Sequence, residues 1–164
     1  MAEKIIILTP FFDEEESLNQ LLSGLNSLLP QFPDSSFSLL VIDDGSTGKF
    51  TIKAASQFSV QVLRLQRNIG HQKAIAVGLA YIKENMECDK VLVMDADGED
   101  RPEDAIALLK ESQNNPGNII FAKRKSRQEG NSFRLFYSIY KFAFRILTGK
   151  RIAFGNFLIM PKPL

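Results

Sequence analysis

The chain has 164 residues, 45% of them hydrophobic and 24% charged, with a formal net charge of +1. This length fits one domain with a substantial core. Cys88 is the only cysteine and His71 the only histidine, which excludes a disulfide framework within the chain and zinc-finger ligand sets. We find neither a signal-peptide pattern nor a run near the roughly 18 apolar residues of a spanning helix, and we therefore expect a cytoplasmic protein.

Apolar segments of two periodicities alternate along the chain and predict strands and helices in turn. Strands are predicted at 4–9, 37–42, 60–65, 91–94, 118–122 and 153–160. The first of them should end at Pro10, because proline cannot continue a ladder. Helices are predicted at about 13–29, 52–58, 72–87 and 103–113. This alternation favours an α/β fold, a mostly parallel, Rossmann-like sheet with helices on both faces.

Acidic loops follow three of the predicted strands. They contain Glu14 and Glu15 after the first strand, Asp43 and Asp44 after the second, and Asp95, Asp97 and Glu99 after the fourth. Each loop alone is explained by helix capping, turn chemistry or a solvated acidic surface. Three at the ligand-binding edge of one parallel sheet are costly unless a cation compensates them, and Mg²⁺ takes one or two carboxylates plus substrate phosphates. We therefore predict a shared metal and phosphate site, with Arg67 and Lys73 as candidates for holding a diphosphate.

Other phosphate and cation sites do not fit the sequence. No G-x-G-x-x-G follows the first strand, and no G-x-x-x-x-G-K-[ST] occurs anywhere. An EF-hand loop starting at Asp95 would need glycine at its sixth position, which is Asp100. Residues 1–100 carry 8 Lys and Arg against 15 Asp and Glu, and residues 101–164 carry 12 against 4. This asymmetry fits two sides of an anionic ligand bridged by a metal, or a basic face toward a membrane.

Four motifs occur in order between residues 5 and 104. They are TPFFDEEESL at 9–18, VIDDGST at 41–47, RNIG at 67–70 and MDADGED at 94–100. Together they resemble the motifs of family 2 glycosyltransferases, and they are most similar to the branch acting on polyprenyl phosphates, like dolichyl-phosphate mannose synthase. Arg124, Arg127 and Gly155-Asn156-Phe157 resemble later segments of that branch more loosely.

The resemblance implies a single GT-A domain over 1–164, with a donor-binding half at 1–122 and the start of an acceptor-side half at 123–164. It implies inverting transfer of a sugar from a UDP- or GDP-sugar, with Mg²⁺ or Mn²⁺, to an acceptor such as a polyprenyl phosphate in cell envelope polysaccharide synthesis. Because the family usually continues further, we expect the chain to be truncated at its C-terminus. A saccharide acceptor, or a non-catalytic module that only binds the nucleotide sugar, are the alternatives.

Site residues follow from the motif positions. The resemblance implies that Asp95, Asp97 and Glu99 hold the metal and that Asp97, Arg124 and Arg127 serve catalysis, the two arginines by binding an acceptor phosphate. The nucleotide-sugar site is assigned to Pro10, Phe12, Glu14, Asp43, Asp44, Arg67, Lys73, Asp95 and Ala96. Three positions depart from the family pattern, which usually has Asn at Asp13, Leu-Gln at Gly98-Glu99 and a small residue at Lys123.

A predicted helix at 132–148 carries Arg134, Lys141 and Arg145 on one stripe of an otherwise aromatic and apolar segment. Such a helix either lies in a membrane interface or packs on the sheet with one charged face in water. The first interpretation places the protein at the inner face of the membrane. We expect no nucleic-acid partner, and the sequence leaves the oligomeric state open.

Overall fold

The computed structural model describes residues 2–48, 50–52, 58–122 and 155–162. The strands are β1 (Glu3–Phe11), β2 (Ser35–Asp43), β3 (Ser59–Arg64), β4 (Lys90–Val93), β5 (Ile120–Phe121) and β6 (Leu158–Pro161). The helices are α1 (Glu15–Leu28), α2 (His71–Asn85) and α3 (Pro102–Asn114), with a 3-10 turn at Leu29–Gln31. The helix predicted at 132–148 and most of the one predicted at 52–58 lie outside the described residues.

The strands form one mixed sheet in the order β3-β2-β1-β4-β6-β5. β1 is parallel to both β2 and β4, and β2 is parallel to β3, whereas β6 runs antiparallel to β4 and β5. The predicted mostly parallel sheet is thus confirmed. The strand order reverses its direction of growth between β1 and β4, and ligands of open α/β sheets bind outside the carboxyl ends of strands at such a point.

Helices cover both faces of the sheet, as predicted. Alternate residues of β1 point to opposite faces, so Ile5 and Ile7 pack in the cluster that contains α1 and α3, while Ile6 and Leu8 pack in the cluster that contains α2. All four side chains are at most 2% exposed. Burial of both faces explains why the central strands read as continuous apolar runs rather than alternating ones.

The prediction that the first strand ends at Pro10 is wrong, because β1 continues to Phe11. The carbonyl of Leu8 accepts a hydrogen bond from Met94 on the β4 side, and that of Phe11 accepts one from Asp44 on the β2 side. Pro10 therefore has its nitrogen on the β4 side, where β1 pairs with β4 only as far as Leu8 and Val93. An N–H at this position would donate to the carbonyl of Met94, so Pro10 ends the ladder with β4 while β1 continues along β2. The Met94 carbonyl accepts a hydrogen bond of 3.1 Å from the Thr9 hydroxyl instead.

Candidate functional site

A cleft of about 320 Å³ opens at the carboxyl ends of β1, β2 and β4. It brings together seven of the residues that the sequence assigned to the nucleotide-sugar and metal site. They are Pro10, Phe12, Glu14, Asp44, Asp95, Ala96 and Asp97. Their convergence follows from the parallel pairing of the three strands, since loops that leave parallel strands at their carboxyl ends share one edge of the sheet.

Of the two adjacent acids after β2, Asp43 is turned away from the cleft and organises its own loop. It is fully buried, and its Oδ1 accepts a hydrogen bond of 2.8 Å from the backbone N–H of Ser46. Its Oδ2 lies 3.3 Å from Nε of Arg64, whose Nη2 also donates to the Ser46 carbonyl at 2.6 Å. Asp43 thus fixes the turn that presents its neighbour, and a direct contact of Asp43 with a nucleotide stays a prediction.

Asp44 lines the cleft and also anchors the loop after β3. Its Oδ1 accepts a hydrogen bond of 2.8 Å from the N–H of Ile69, and its Oδ2 accepts one of 2.9 Å from Gly70. Each carboxylate oxygen has a second lone pair, so the predicted bond to a nucleobase remains chemically open. The two loops touch closely, because an ideal Cβ on Gly45, at φ +77°, would lie 2.5 Å from the carbonyl carbon of Arg67.

The loop after β1 presents Phe12 and Glu14 on either side of Asp13. Asp13 has a φ of +53°, and its N–H donates a hydrogen bond of 3.0 Å to Oγ of Ser46. Asp and Asn tolerate this left-handed conformation better than most other residues, so the aspartate found here fits the backbone as well as the asparagine usual in the family pattern. Phe12 is 42% exposed and lines the cleft.

The loop after β4 supplies the two carboxylates of the D-x-D motif. Asp95 is 6% exposed and its N–H donates to Oδ2 of Asp100 at 2.8 Å, whereas Asp97 is exposed and its Oδ1 accepts a bond of 2.9 Å from Glu99. Within the described ranges no group of three His, Cys, Asp or Glu side chains forms a ready metal cage. One or two carboxylates beside a phosphate site still fit Mg²⁺ or Mn²⁺, which take their remaining ligands from substrate oxygens and water.

His71, which sequence reasoning did not assign to the site, lines the cleft at the first residue of α2. Its Nε2 lies 3.2 Å from Oδ1 of Asp95 and 2.8 Å from Nδ2 of Asn156. A signal was present in the sequence, because the lone histidine directly follows the RNIG motif. Asn156 belongs to the Gly155-Asn156-Phe157 segment, and its role depends on a contact between residues 85 positions apart, which spacing does not reveal.

Three of the predicted positions, besides Asp43, are described by the structure but do not line the cleft. Arg67, Lys73 and Glu99 are exposed, and they are not among the described residues that line it. Arg124 and Arg127 lie outside the described residues. For these residues, contacts with a donor, a metal or an acceptor stay predictions.

Solved structures show which fold the chain has. The chain superposes on glucosyl-3-phosphoglycerate synthase from Mycobacterium tuberculosis, crystallised with Mn²⁺, uridine-diphosphate-glucose and phosphoglyceric acid. The TM-score is 0.65 at 20% identity, over 98% of this chain and 57% of that one. The fold is therefore the GT-A glycosyltransferase fold, as the sequence motifs predicted.

The family follows from the sequence match. Residues 6–160 match the family described as "Glycosyl transferase family 2", and the chain belongs to that family. It is 24% identical over 132 residues to a dodecaprenyl-phosphate galacturonate synthase of Rhizobium johnstonii. It is 28% identical over 137 residues to an undecaprenyl-phosphate 4-deoxy-4-formamido-L-arabinose transferase of Photorhabdus laumondii.

These alignments cover 77% and 80% of this chain but only 38% and 40% of the two relatives. The chain thus spans less than half the length of the curated proteins that it resembles. Among the residues that the structure describes, no helix is both long and apolar enough to cross a membrane.

Proposed function

We propose that this chain is the donor-binding domain of an inverting glycosyltransferase that moves a sugar from a UDP- or GDP-sugar to a polyprenyl phosphate at the cytoplasmic face of a membrane. Its role is in the synthesis of cell envelope polysaccharides. The observation that carries the proposal is the cleft, in which an aromatic ring and carboxylates from the loops after β1, β2 and β4 meet at the switch point of a GT-A sheet. The names of the two relatives support the choice of a polyprenyl-phosphate acceptor.

The nucleoside is assigned to the side of the cleft formed by the loops after β1 and β2. Pro10 and the exposed ring of Phe12 offer an apolar surface for a base, and Asp44 and Glu14 offer acceptors for its N–H groups or for ribose hydroxyls. Asp43 holds the loop after β2 in place through its contacts with Ser46 and Arg64. Both uracil and guanine carry N–H groups that can donate a hydrogen bond to a carboxylate, so the site is compatible with either nucleotide.

The diphosphate and metal are assigned to the other side, at the loop after β4. Asp97 is exposed in the cleft and Asp95 lies beside it, with Glu99 as the further candidate ligand. A bound divalent ion would neutralise negative charge on the leaving diphosphate. Arg67 and Lys73, both exposed near the start of α2, are the candidates for additional phosphate contacts.

In the proposed reaction a phosphate oxygen of the acceptor bonds to the anomeric carbon as the bond from that carbon to the diphosphate breaks. The leaving diphosphate takes the electron pair, and the configuration inverts because the attack comes from the opposite side. An acceptor phosphate is already an anionic nucleophile, so no general base has to remove a proton. Arg124 and Arg127 are assigned to holding that phosphate in line with the breaking bond.

Calorimetric titration of the chain with UDP and GDP, with Mn²⁺ and with chelator, tests donor binding. We expect micromolar to millimolar affinity for one nucleotide, and weaker affinity once the metal is removed. Incubation with the matching sugar nucleotide and undecaprenyl phosphate or an oligosaccharide then tests the acceptor. Transfer to the lipid phosphate alone supports the full proposal. Transfer to the saccharide would show that the acceptor is a saccharide and not a lipid phosphate. Binding without transfer would show that the chain is a donor-binding module.

A further inference from the structure

Four polar side chains from separate parts of the chain meet at one wall of the cleft. Nε2 of His71 lies 3.2 Å from Oδ1 of Asp95 and 2.8 Å from Nδ2 of Asn156. Nε2 of Gln72 in turn lies 2.8 Å from Oδ1 of Asn156. His71 and Gln72 begin α2, Asp95 follows β4, and Asn156 precedes β6. The contacts therefore join the donor half of the domain to the segment that returns near its C-terminal end.

The hydrogen-bonding capacity of an imidazole restricts how these groups are arranged. Nε2 carries either a hydrogen or a lone pair, so it cannot donate to Asp95 and accept from Asn156 at once. The 3.2 Å contact with Asp95 is a close electrostatic contact rather than a hydrogen bond of good geometry. Because a carboxylate only accepts, this contact is favourable when the hydrogen is on Nε2. The amide of Asn156 then presents its oxygen to the ring, so Asp95 and Asn156 share the single hydrogen of Nε2. Its NH2 group faces the amide oxygen of Gln72 when both amides are turned accordingly.

The side chain of Asp95 has few other ways of being oriented. It is 9% exposed, and the backbone N–H of Asp95 is held by Oδ2 of Asp100 at 2.8 Å. With the backbone fixed and water largely excluded, the direction of the carboxylate depends on the groups that touch it. His71 is one of these, and Asn156 restrains the same ring nitrogen of His71 that faces Asp95.

We propose that Asn156, acting through His71, positions the carboxylate of Asp95 for donor binding, so that the segment before β6 tunes the affinity of the nucleotide site. His71 and Asn156 are then positioning residues rather than catalytic ones. This inference rests on the proposed function, because Asp95 is assigned there, beside Asp97, to the diphosphate and metal side of the cleft. It makes donor binding depend on His71 and Asn156, two residues outside the D-x-D motif.

A double-mutant cycle on nucleotide affinity tests the relay. The dissociation constant of UDP or GDP with Mn²⁺ is measured for the wild type, His71→Ala, Asn156→Ala and the double variant. Each single substitution should raise the dissociation constant about three- to tenfold, since it removes a restraint on Asp95 comparable in strength to an ordinary hydrogen bond. The double variant should bind no more weakly than His71→Ala, because Asn156 acts only through His71.

Asn85→Ala is the matched control, since Asn85 ends the same helix and lies about 20 Å from His71 by the rise of the helix. It should leave the affinity unchanged. The relay is refuted if Asn156→Ala has no effect, or if it weakens binding equally with and without His71. Failure of the wild type to bind either nucleotide would refute the proposed function and, with it, the role of the relay in donor binding.

A measurement without nucleotide separates these failures. His71 is the only histidine, so its imidazole ¹⁵N signals are assigned without ambiguity. Asn156→Ala and Asp95→Asn should each shift the Nε2 signal, whereas Asn85→Ala should not. An unchanged Nε2 signal in Asn156→Ala would show that the ring is not held by Asn156, whatever the protein binds.

Discussion

The carboxylate of Asp13 accepts two hydrogen bonds from Thr47, one of 3.0 Å from the backbone N–H and one of 3.1 Å from the hydroxyl Oγ1. This pair joins the loop after β1 to the loop after β2 at the rim of the cleft. Asp13 stands between Phe12 and Glu14, which are both assigned to the nucleoside. The pair therefore restrains the segment that carries these two residues.

Replacing Asp13 tests this restraint. Asp13→Ala loses both bonds and tolerates the left-handed backbone less well, so nucleotide affinity should fall by about tenfold and stability by about 1–2 kcal/mol. Asp13→Asn should retain most of the affinity, because the amide oxygen accepts from the Thr47 N–H and its NH2 group donates to Oγ1. Calorimetric titration and urea unfolding measure the two effects, and equal losses in both variants would contradict the argument.

Gly45→Ala should damage the site through the backbone. The new Cβ would lie 2.5 Å from the carbonyl carbon of Arg67 and 2.6 Å from the nitrogen of Asn68, so the two loops must separate. Gly117 is the matched control, because it also has a positive φ, of +92°, but open space around its Cβ. We expect Gly117→Ala to cost only the conformational strain, about 1–2 kcal/mol, and to leave nucleotide binding intact.

Gly45→Ala should cost more stability than Gly117→Ala in the same urea titration, and it alone should weaken nucleotide binding, because the Asp44 bonds to Ile69 and Gly70 depend on the approach of the two loops. Equal unfolding free energies and equal affinities for the two variants would show that the approach of the loops is unimportant.

Asp97→Asn should remove the metal dependence of nucleotide binding. The amide keeps the size and one acceptor oxygen of Asp97 but loses the charge that a hard divalent cation prefers. We expect the affinity for the nucleotide with Mn²⁺ to fall about tenfold or more, to the value that the wild type shows with chelator. Asp104→Asn, an exposed change in α3, serves as the control. A metal response in Asp97→Asn equal to that of the wild type would remove Asp97 from the metal site.

Lys90 tests stability at the end of β4 remote from the cleft. Its Nζ lies 2.8 Å from Oε1 of Glu3 and also donates to the carbonyl and hydroxyl oxygens of Ser112, at 3.0 and 3.2 Å. Lys90→Met leaves the Glu3 carboxylate and the Ser112 oxygens without this donor, so the free energy of unfolding should fall by about 1–3 kcal/mol. This range lies below that of a fully buried pair, because the side chain of Glu3 is 29% exposed.

The double variant Glu3→Leu/Lys90→Met should recover part of that stability, since no buried charge is then left unpaired. Nucleotide affinity should be the same in both variants and in the wild type, because Lys90 and Asp95 flank opposite ends of the strand. Chemical unfolding measures the stability of each variant, and calorimetric titration measures its nucleotide affinity. A double variant less stable than Lys90→Met would show that the methionine, and not the unpaired carboxylate, causes the loss.

The sheet and the gathering of its acidic loops were predictable because both depend on local patterns. Continuous apolar runs such as Val91–Val93 mark strands buried on both faces, and parallel pairing places their following loops at one edge. The different tasks of Asp43 and Asp44 were not predictable from their order, since they depend on which carboxylate meets Arg64 and which meets the loop at Ile69.

Pro10 and His71 show two further limits of sequence reasoning. The rule that proline ends a strand failed because Pro10 interrupts only the ladder with β4, whereas the ladder with β2, on the other side of β1, does not use the missing N–H. His71 was overlooked because its partners are distant in sequence, with Asp95 supplied by another strand and Asn156 by the returning chain. Local patterns therefore predict which loops form the site, and tertiary contacts decide what each side chain does there.

The unequal lengths of β1 and β4 have a consequence for the mouth of the cleft. β1 has nine residues and β4 has four, so β1 continues along β2 to Phe11 after its pairing with β4 has ended at Leu8 and Val93. In this last part of β1 the nitrogen of Pro10 faces the β4 side, so β1 offers no backbone N–H there to a carbonyl of the loop after β4. The covalent structure of Pro10 thus ends the β1–β4 ladder at the place where the cleft begins.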